Sequence, residues 1–416
     1  MDGKLLQRVK EEQGLTAVIV ALLMVVFIGV AAFAIDVGHL YLVKNELQNA
    51  ADAGCLAGAR FLYDEYGEYV NGNSSQVAYD AAMVNRSENL PVEVHWSGGN
   101  TGDVERGHWS FSTRAFTSSD NDGYTQIWDV SPDELDSNPN FVNAIRVRTR
   151  RQDTPAVSFF ARIFGYENFF LSAEAVAYIG FSGTLAPGEA SQPIAICKES
   201  LLMNGQYTCS TGRMITNHEQ VAGQESGGWT DFNQDSPCFT GTNAETVRSL
   251  ICGDGNPDPI MLGQSIATHG GYIEFAHGQL RTCWEAFTGR TRSWTLTLPV
   301  IECPGNNVDS CAGVVGAVTV NIVWITPWED DPSYDDAPWT MEDPRNQTTW
   351  SSNNPDGQVR WNRFVQHFNL KDIDGNPVPY QRRGVYFLPD CSTHQPKGRT
   401  GGENFGILAK IPVLAK

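Results

Sequence analysis

The hydrophobic pattern of the chain begins with a long uncharged run near the N-terminus. Residues 15–35 form 21 consecutive positions without a charged side chain. A helix of about 20 apolar residues spans the hydrocarbon core of a bilayer, so we predict a transmembrane helix over residues 15–35 that follows a short segment, residues 1–14. A cleaved secretory peptide is the alternative, but the helical pattern continues past Ile35 instead of leaving a cleavage site for a loop.

Charged residues on either side of this run predict its orientation. Lys4, Arg8 and Lys10 precede it, whereas Asp36 and Lys44 follow it. Because positive residues accumulate on the cytoplasmic side of membrane helices, we predict a single-pass protein with a cytoplasmic N-terminus. Everything after Asp36 would then lie in the periplasm or outside the cell.

Beyond the apolar run, hydrophobic and small residues recur at helical spacing. Since no proline interrupts residues 15–62, one continuous helix is expected there. Glycine inside a helix costs about 1 kcal/mol relative to alanine, whereas small residues four apart allow another backbone to come close. We therefore predict a helix-packing face that contacts either the chain's own domain or a partner. Its residues are Leu40, Val43, Leu47, Ala50, Ala51, Gly54 and Gly58.

The next part of the chain mixes helical and alternating patterns. Helices are predicted over residues 77–89 and 153–165, and strands over residues 92–96, 144–150 and 171–181. The strand at 144–150 carries arginines on one face, which we interpret as a solvated sheet face rather than a surface for acidic partners. Together with the emerging helix these elements predict a small α+β unit over residues 36–181.

A Pro/Gly/Ser-rich stretch, residues 182–193, is the predicted linker to a second domain. Beyond it, apolar alternating runs separated by long Gly/Asn/Asp-rich loops predict a mostly β domain over residues 194–416. Four strands are expected at residues 294–301, 317–325, 384–389 and 405–413. The fold class is therefore α+β, with a long N-terminal transmembrane helix, a small α+β unit and a mostly β disulfide-rich domain.

Charge and cysteine usage limit the classes of function and compartment. The formal net charge of -19 argues against nucleic acid as a partner, because phosphates need a basic surface. Eight of the nine cysteines lie in the second half, an even set that predicts disulfides in an oxidising compartment. Zinc is the rival interpretation, but no close pair such as Cys-x-x-Cys is present. The disulfide candidates, whose pairing the spacing leaves open, are Cys197, Cys209, Cys238, Cys252, Cys283, Cys303, Cys311 and Cys391.

The sequence predicts no catalytic set, no cofactor and no metal site, so we expect a protein that is not an enzyme. His269 and His277 are too far apart along a strand or helix to share an ion without a turn, and His218 lacks the second histidine of a zinc protease. An acidic stretch, residues 328–344, lies near several tryptophans. Solvated acids and core tryptophans are the simpler interpretation. An anchored adhesin or ligand-binding surface protein that uses this Trp/Asp-rich region is the alternative function.

The N-terminal region has a close family resemblance. The stretch "QGLTAVIVALLMVVFIGVAAFAIDVGHLYLVKNELQNAADAGCLAGA", residues 13–59, resembles the N-terminal region of TadG-like Flp (tight-adherence) pilus-assembly proteins. A weaker similarity to TadE- and TadG-like proteins covers "NAIRVRTRRQDTPAVSFFARIFGYENFFLSAEAVAYIG", residues 143–180. The resemblance implies a pilus-assembly or minor pilin-like component in a bacterial inner membrane. Implied partners are the membrane, other pilus-assembly proteins or pilins, and a second copy of the chain.

The resemblance also raises the question of processing. Some relatives are cut by a prepilin peptidase after a glycine, which here would separate Gly14 from Leu15. Such cleavage usually goes with Glu at the fifth position after the glycine, where this chain has Ile19, so the sequence favours a retained N-terminus. Many TadG-like chains carry a von Willebrand A-like domain with a metal motif. That motif has no counterpart here, and neither the domain nor its metal is expected.

Overall fold

The computed structural model describes residues 3–415 except 216–225, 236–237, 239–241, 271–273, 328–332, 373, 381–382 and 393–394. Only the backbone is described for residues 3–15, 274–275 and 306. Helix α1 (Gly3–Arg60) runs without a break through the predicted transmembrane segment and the predicted packing face. At 1.5 Å per residue it is about 87 Å long. It is long and apolar enough to cross a membrane, and the described chain does not bury its most apolar 18-residue window.

Two sets of elements follow the apolar half of α1. The membrane-proximal unit, residues 36–181, adds α2 (Ser74–Met83), β1 (Arg86–Ser87), β2 (Leu90–Pro91), β3 (Val104–Ser110), β4 (Ala115–Ser118), α3 (Pro132–Ser137), β5 (Ala144–Val157) and β6 (Asn168–Tyr178). The Cys-rich body, residues 182–415, contains helices α4 (Ala244–Leu250), α5 (Glu274–Thr288) and α6 (Gly357–Phe368). Its strands are β7 (Phe181–Ser182), β8 (Thr184–Leu185), β9 (Ile194–Cys197), β10 (Leu202–Met203), β11 (Gln206–Tyr207), β12 (Arg213–Ile215), β13 (Gly227–Thr230), β14 (Ile260–Met261), β15 (Ser265–His269), β16 (Trp294–Ile301), β17 (Cys311–Ile325), β18 (Thr340–Asp343), β19 (Thr348–Ser351), β20 (Val385–Pro389), β21 (Thr400–Gly402) and β22 (Val413–Leu414).

The membrane-proximal unit is built on a five-stranded antiparallel sheet with the order β22-β6-β5-β3-β4. Along β5, Ile145, Val147 and Thr149 are buried, and the intervening arginines are partly exposed. The buried face packs against α1 and α2, because a sheet with one apolar face must cover it with another layer. The arginines pair with acids of neighbouring strands, for example Arg148 with Glu174 at 2.5 Å. The predicted strand is confirmed, and its partly exposed arginines are paired with acids.

Two predictions in this unit are wrong. The helix expected over residues 153–165 is strand up to Val157, followed by a short 3-10 turn, Ala161–Phe164. A register shift between Arg151 and Ala156 lets β5 continue past Pro155 and pair again with β6. Cross-strand pairing has thus overridden a local helical pattern. The strand expected over residues 92–96 is reduced to a single bridge between Glu93 and Arg150.

The Cys-rich body contains a closed ring of strands. Its main sheet has the order β12-β20-β17-β15-β13-β9-β16, and β16 also pairs with β17. Since β16 therefore has partners on both edges, the five strands β17, β15, β13, β9 and β16 form a ring without a free edge. The predicted strands at residues 294–301, 317–325 and 384–389 match β16, part of β17 and β20. Residues 405–413 form only isolated bridges and the start of β22.

Helices α5 and α6 were not predicted from the sequence, and they cover this sheet. Their aromatic residues Trp284, Trp361 and Phe364 are fully buried together with Trp324 of β17. The two tryptophans Trp284 and Trp324 meet edge to face with ring centres 5.1 Å apart. Such contacts make large aromatic side chains the main filling of the core. The mostly β character and the α+β class are confirmed.

All eight candidate cysteines form pairs at disulfide distance. The pairs are Cys197–Cys303, Cys209–Cys391, Cys238–Cys311 and Cys252–Cys283, with Cα–Cα distances between 5.3 and 6.1 Å. These separations suit a disulfide. Cys55 is the free cysteine of the described chain, and it is buried in α1.

The body is attached to the membrane-proximal sheet at both of its ends. The stretch 182–193 forms β7 and β8, which pair with β21 and β14, rather than an isolated extended connection. At the other end of the body, β22 returns to pair with β6, placing Val413 opposite Tyr178 and Leu414 opposite Ala177. The chain therefore leaves the first sheet, builds the body and returns to an edge of that sheet.

Candidate functional site

The predicted helix-packing face lies inside the membrane-proximal unit. Six of its seven residues are buried, and Leu40 is half-buried. The buried residues are Val43, Leu47, Ala50, Ala51, Gly54 and Gly58. The four that carry a side chain, Val43, Leu47, Ala50 and Ala51, belong to one apolar cluster with residues of α2, β5 and β6. The sequence left open whether this face contacts the chain's own domain or a partner. In the structure, the chain's own domain covers it.

Two glycines of this face sit where a side chain would collide. A Cβ atom added to Gly58 would lie 2.6 Å from the Ala78 Cβ and 2.8 Å from the Ile145 Cδ1. At Gly54 it would lie 2.9 Å from the Ala78 carbonyl oxygen and 3.0 Å from the Ala82 Cβ. The glycines therefore let α2 approach α1 closely, which offsets their low helix propensity.

The polar row beside this face binds the sheet. Gln48 donates a hydrogen bond of 3.1 Å to the carbonyl oxygen of Glu174, and the Lys44 ammonium donates to that of Ser172. Both carbonyls belong to β6, whose edge on that side is paired within the described residues only at Ala177 and Tyr178, by β22. Helix α1 thus covers part of a strand edge that would otherwise be open to pairing.

Asp36, the first residue after the predicted membrane span, ties α1 to the end of the β5–β6 hairpin. It is 5% exposed. Its carboxylate accepts backbone N–H groups of Phe159, Phe160 and Ala161 at distances of 2.6–3.2 Å. Burial alone would raise the pKa of Asp36, but these N–H groups hold it below its ordinary value. A charged carboxylate therefore fixes the hairpin at the point where the apolar part of the helix ends.

A second polar junction joins α1 to the β1–β2 turn. The Glu88 carboxylate lies 2.5 Å from the His39 ring nitrogen Nε2 and 3.3 Å from the guanidinium of Arg151, which is almost fully buried. The backbone N–H of Glu88 donates to Glu46 at 2.9 Å. These contacts tie the β1–β2 turn to α1 and to the buried Arg151 of β5.

The bond between Gly14 and Leu15, at which the sequence argues against processing, falls inside α1, and only the backbone is described there. The peptide bond lies in a continuous helix. Retention of the N-terminus stays a prediction.

The histidines considered as metal ligands have different surroundings. His277 of α5 is buried, and its Nε2 lies 2.9 Å from the carbonyl oxygen of Thr326. Burial lowers the pKa of His277 to about 4, so the ring is neutral near neutral pH and serves as a hydrogen-bond donor in the core. His269 ends β15. His218 lies outside the described residues.

The acidic stretch at residues 328–344 is only partly described, because residues 328–332 are outside the described set. In the rest, Asp336 accepts hydrogen bonds from Arg290 at 2.6 Å and from Arg281 at 3.1 Å. Asp343 is completely buried and binds Arg345 at 2.6 Å. Both carboxylates form hydrogen-bonded ion pairs with arginine. The interpretation of these two residues as solvated loop acids is therefore wrong.

The tryptophans of this region divide into core and surface. Trp324 and Trp361 are buried and Trp350 is partly buried, whereas Trp339 is 51% exposed. The guanidinium of Arg360 lies 3.6 Å from the ring centre of Trp339. Three of these four tryptophans therefore lie wholly or partly in the core. The ring of Trp339 is the one that is exposed and could make a surface contact.

A cavity of about 550 Å³ lies between the membrane-proximal unit and the body. Tyr178, Phe141, Tyr207 and Leu202 line it together with residues around Glu403. Its size suits a small ligand, and its lining is mostly apolar with a few polar groups.

Another acidic group, Glu93, shapes the β5 hairpin. Its carboxylate accepts N–H groups of Gln152, Asp153 and Thr154 at 2.7–2.8 Å and the Thr154 hydroxyl at 2.6 Å. Burial alone would raise the pKa of Glu93, but these donors lower it to about 2. His95 and Asp153 lie close enough to join Glu93 around a metal ion. Since four donors already occupy the carboxylate, its role in this structure is to hold the bend of β5.

Comparisons with known proteins match only the N-terminal part of the chain. Residues 14–60 match a family model described as putative Flp pilus-assembly TadE/G-like. Residues 57–177 match a second one, described as putative Tad-like Flp pilus-assembly. No curated protein and no solved structure matches the chain. The matched region ends one residue before the end of β6, and the Cys-rich body lies beyond it.

Proposed function

Because residues 14–177 match two family models described as putative Flp pilus-assembly, we propose that the chain is a membrane-anchored pilus-assembly or minor pilin-like component. Residues 15–35 would cross the bacterial inner membrane once, with the N-terminus in the cytoplasm. The folded bulk would lie in the periplasm or beyond. The role would be structural rather than enzymatic, carried by helix packing and contacts between proteins.

The observation that carries this proposal is the fixed junction between helix and body. The side chains in the apolar half of α1 are exposed. The second half of the helix is held against the sheet by the buried face and by Asp36. A position imposed on the membrane helix is therefore transmitted to the folded domain without a flexible linker. Such a rigid connection suits a component that must present its body at a defined height and orientation in an assembly.

Since the same chain covers the small-residue face, partner contacts would use other surfaces of α1. Phe33, Val37 and Tyr41 are exposed and follow one another at intervals of four residues, so they form one stripe on the helix. We call these three residues the exposed stripe. It continues from the predicted membrane span to the first turns outside it, where a pilin helix or a second copy would pack.

The test is site-specific photocrosslinking in piliated cells. A photoreactive phenylalanine analogue at Tyr41 should crosslink to another pilus component or to a second copy, because this side chain points away from the protein's own core. The same analogue at Leu47, which is buried in the protein's own core, is the matched control and should give no crosslink between chains. Normal piliation with no crosslink at Val37 or Tyr41 would refute the proposed packing surface.

A ligand-binding role is the second candidate, and the cavity between the two parts of the chain favours it. Leu202 is partly exposed at its lining. Filling the cavity with Leu202→Trp should abolish attachment to surfaces with normal pilus formation if the cavity binds a ligand. Loss of pili with no separate effect on attachment would favour the assembly role instead.

A further inference from the structure

The end of the β5–β6 hairpin carries an unusual concentration of exposed apolar side chains. We call residues 157–170 the hairpin tip. Ile163 is 75% exposed, Phe164 81% and Phe170 70%, and Phe159 and Tyr166 are exposed by more than half. Outside α1, no other stretch of this length in the described chain contains more than three exposed large apolar residues. A patch of this kind in a soluble body marks a contact surface.

The position of the hairpin tip along α1 is set by Asp36. Its carboxylate binds the N–H groups of Phe159 and Ala161 at 2.8 and 2.6 Å. The ring of Phe159 also lies 4.9 Å from that of His39, one turn further along the helix. Since the uncharged run ends at Ile35, the tip lies at the level where the helix would leave the hydrocarbon core.

The chemistry of the hairpin tip suits the boundary between lipid and water. Phenylalanine and tyrosine side chains dominate it, and Arg162 and Glu167 are its two charged residues. Aromatic rings concentrate at the headgroup level of membranes, and a long arginine side chain can reach the phosphates from there. The turn Ala161–Phe164 points Ile163 and Phe164 into solvent together.

Several backbone polar groups of the hairpin tip are already hydrogen-bonded within the protein, which lowers the cost of leaving water. Besides the N–H groups held by Asp36, Ser158 donates to the carbonyl of Glu167 at 3.0 Å, and its hydroxyl donates to that of Tyr166 at 2.6 Å. Gly165 and Tyr166 donate back into the 3-10 turn. Entry of unpaired peptide groups into lipid would cost several kcal/mol each, and these bonds remove much of that cost.

We propose that the hairpin tip inserts into the lipid headgroup region of the membrane that α1 crosses. This proposal rests on the membrane anchoring that is part of the proposed function. The protein would then hold the bilayer at two points, the helix and the tip. Two points of contact fix the tilt and rotation of the body, which a single helix leaves free.

The test measures the depth of nitroxide labels by electron paramagnetic resonance on the full chain in phosphatidylethanolamine/phosphatidylglycerol liposomes. Phe164→Cys places one label on the tip and Phe33→Cys places one on the membrane helix. Phe111→Cys is the matched control, an exposed phenylalanine whose ring lies 5.0 Å from that of Tyr178 at the far end of β6. The buried Cys55 is replaced by serine in all three variants.

Insertion predicts that the label at residue 164 is more accessible to oxygen than to a water-soluble nickel complex, as at residue 33. The label at residue 111 should show the reverse. A tip label that behaves like residue 111, with residue 33 in lipid, would overturn the proposal while leaving the anchor intact. A residue 33 label in water would instead contradict the anchoring itself. If the tip label is in water in liposomes but shielded in native membranes, a protein covers the tip and lipid insertion is wrong.

A second variant tests whether Asp36 sets the depth of the hairpin tip in the membrane. Asp36→Asn keeps the size of the side chain but removes the negative charge that gathers the three N–H groups of the tip. With the tip released from α1, the preference of the residue 164 label for oxygen should fall at least twofold, while the residue 33 label should not change. An unchanged depth at residue 164 would show that Asp36 does not position the tip.

Discussion

The two parts of this chain reach a fixed structure by different means. In the membrane-proximal unit, small residues bring helices and sheet together, and charged side chains such as Asp36 and Glu88 join α1 to the hairpins. In the Cys-rich body, four cysteine pairs link distant segments around a core of tryptophan and phenylalanine. The first relies on close packing, whereas the second relies on covalent links that restrict the unfolded chain. The comparison implies that the two parts should respond to different perturbations.

The largest difference should come from removal of a disulfide. Cys209 and Cys391 are separated by 182 residues, and in the loop-entropy treatment a link of that length contributes about 5 kcal/mol. The double variant Cys209→Ser with Cys391→Ser should therefore destabilise the body strongly. Urea unfolding of the full chain in nanodiscs, followed by tryptophan fluorescence, measures this. Eight of the 11 tryptophans lie in the body.

Cys55→Ala provides the control, because this buried cysteine forms no disulfide. It should leave the fluorescence transition of the body in place. Hydrogen exchange of α2 and β5 peptides should change little in the double variant. Equal loss of protection in both parts would contradict the division, and would mean that the chain unfolds as one cooperative unit.

The next largest effect concerns a polar contact inside the body. Arg360 is almost completely buried, and its guanidinium donates to the carbonyls of Ala337, Asn354, Pro355 and Asp335 at 2.9–3.3 Å. Arg360→Ala would leave several buried carbonyls unpaired, at an expected cost of about 3 kcal/mol in the free energy of unfolding. The urea midpoint of the body transition tests this.

Arg363→Ala on the same helix is the matched variant, because that arginine is exposed. It should change the free energy of unfolding by less than about 0.5 kcal/mol. Similar values for the two variants would show that Arg360 does not organise the loops around Trp339.

A change in the membrane-proximal unit tests the role of close packing there. Gly58→Ala would place a Cβ 2.6 Å from the Ala78 Cβ, and such overpacking costs about 1–3 kcal/mol. At Gly38 on the same helix no described heavy atom lies within 4 Å of the added Cβ. Gly38→Ala should therefore stabilise the helix, by up to about 1 kcal/mol. Hydrogen exchange of α1 and α2 peptides should separate the two variants, and equal protection would show that the face tolerates larger residues.

The same contrast explains how much could be predicted from the sequence. The continuous helix α1, its buried face and the strands β16, β17 and β20 follow from local periodicity, which one element carries by itself. The hairpin tip was predicted as a helix because "SFFARIFG" has a suitable local pattern, and the pairing of Ala156 with Phe169 decided otherwise. The roles of Asp36, Glu93 and Arg360 depend on partners that are distant in sequence. For Asp36 the one local signal was its position directly after the apolar run.

The smallest predicted effect concerns pH and the bend of the hairpin. In the folded protein the pKa of Glu93 is about 2, below the ordinary value of 4.5, because four donors hold the carboxylate. A group whose pKa is lowered by folding adds stability above its ordinary pKa, and that stability is lost as the pH falls. The contribution of Glu93 should therefore be complete above about pH 5 and disappear between about pH 4.5 and pH 2.

Glu93→Gln keeps the shape of the side chain and removes the charge. At pH 6.5 the variant should be less stable than the wild type. This difference should shrink at pH 3, because below pH 4.5 the unfolded wild type binds a proton at Glu93 that the folded protein largely does not, and this favours unfolding. The measurement is hydrogen exchange of peptides from β5 and the hairpin tip at both pH values, corrected for the intrinsic rate.

Glu65→Gln, at an exposed position, controls for the loss of one surface charge. A difference that stays constant between the two pH values would mean that the bend depends on shape rather than on the charge of Glu93. The orientation of the hairpin tip would then have to be explained by Asp36 and the β5–β6 pairing.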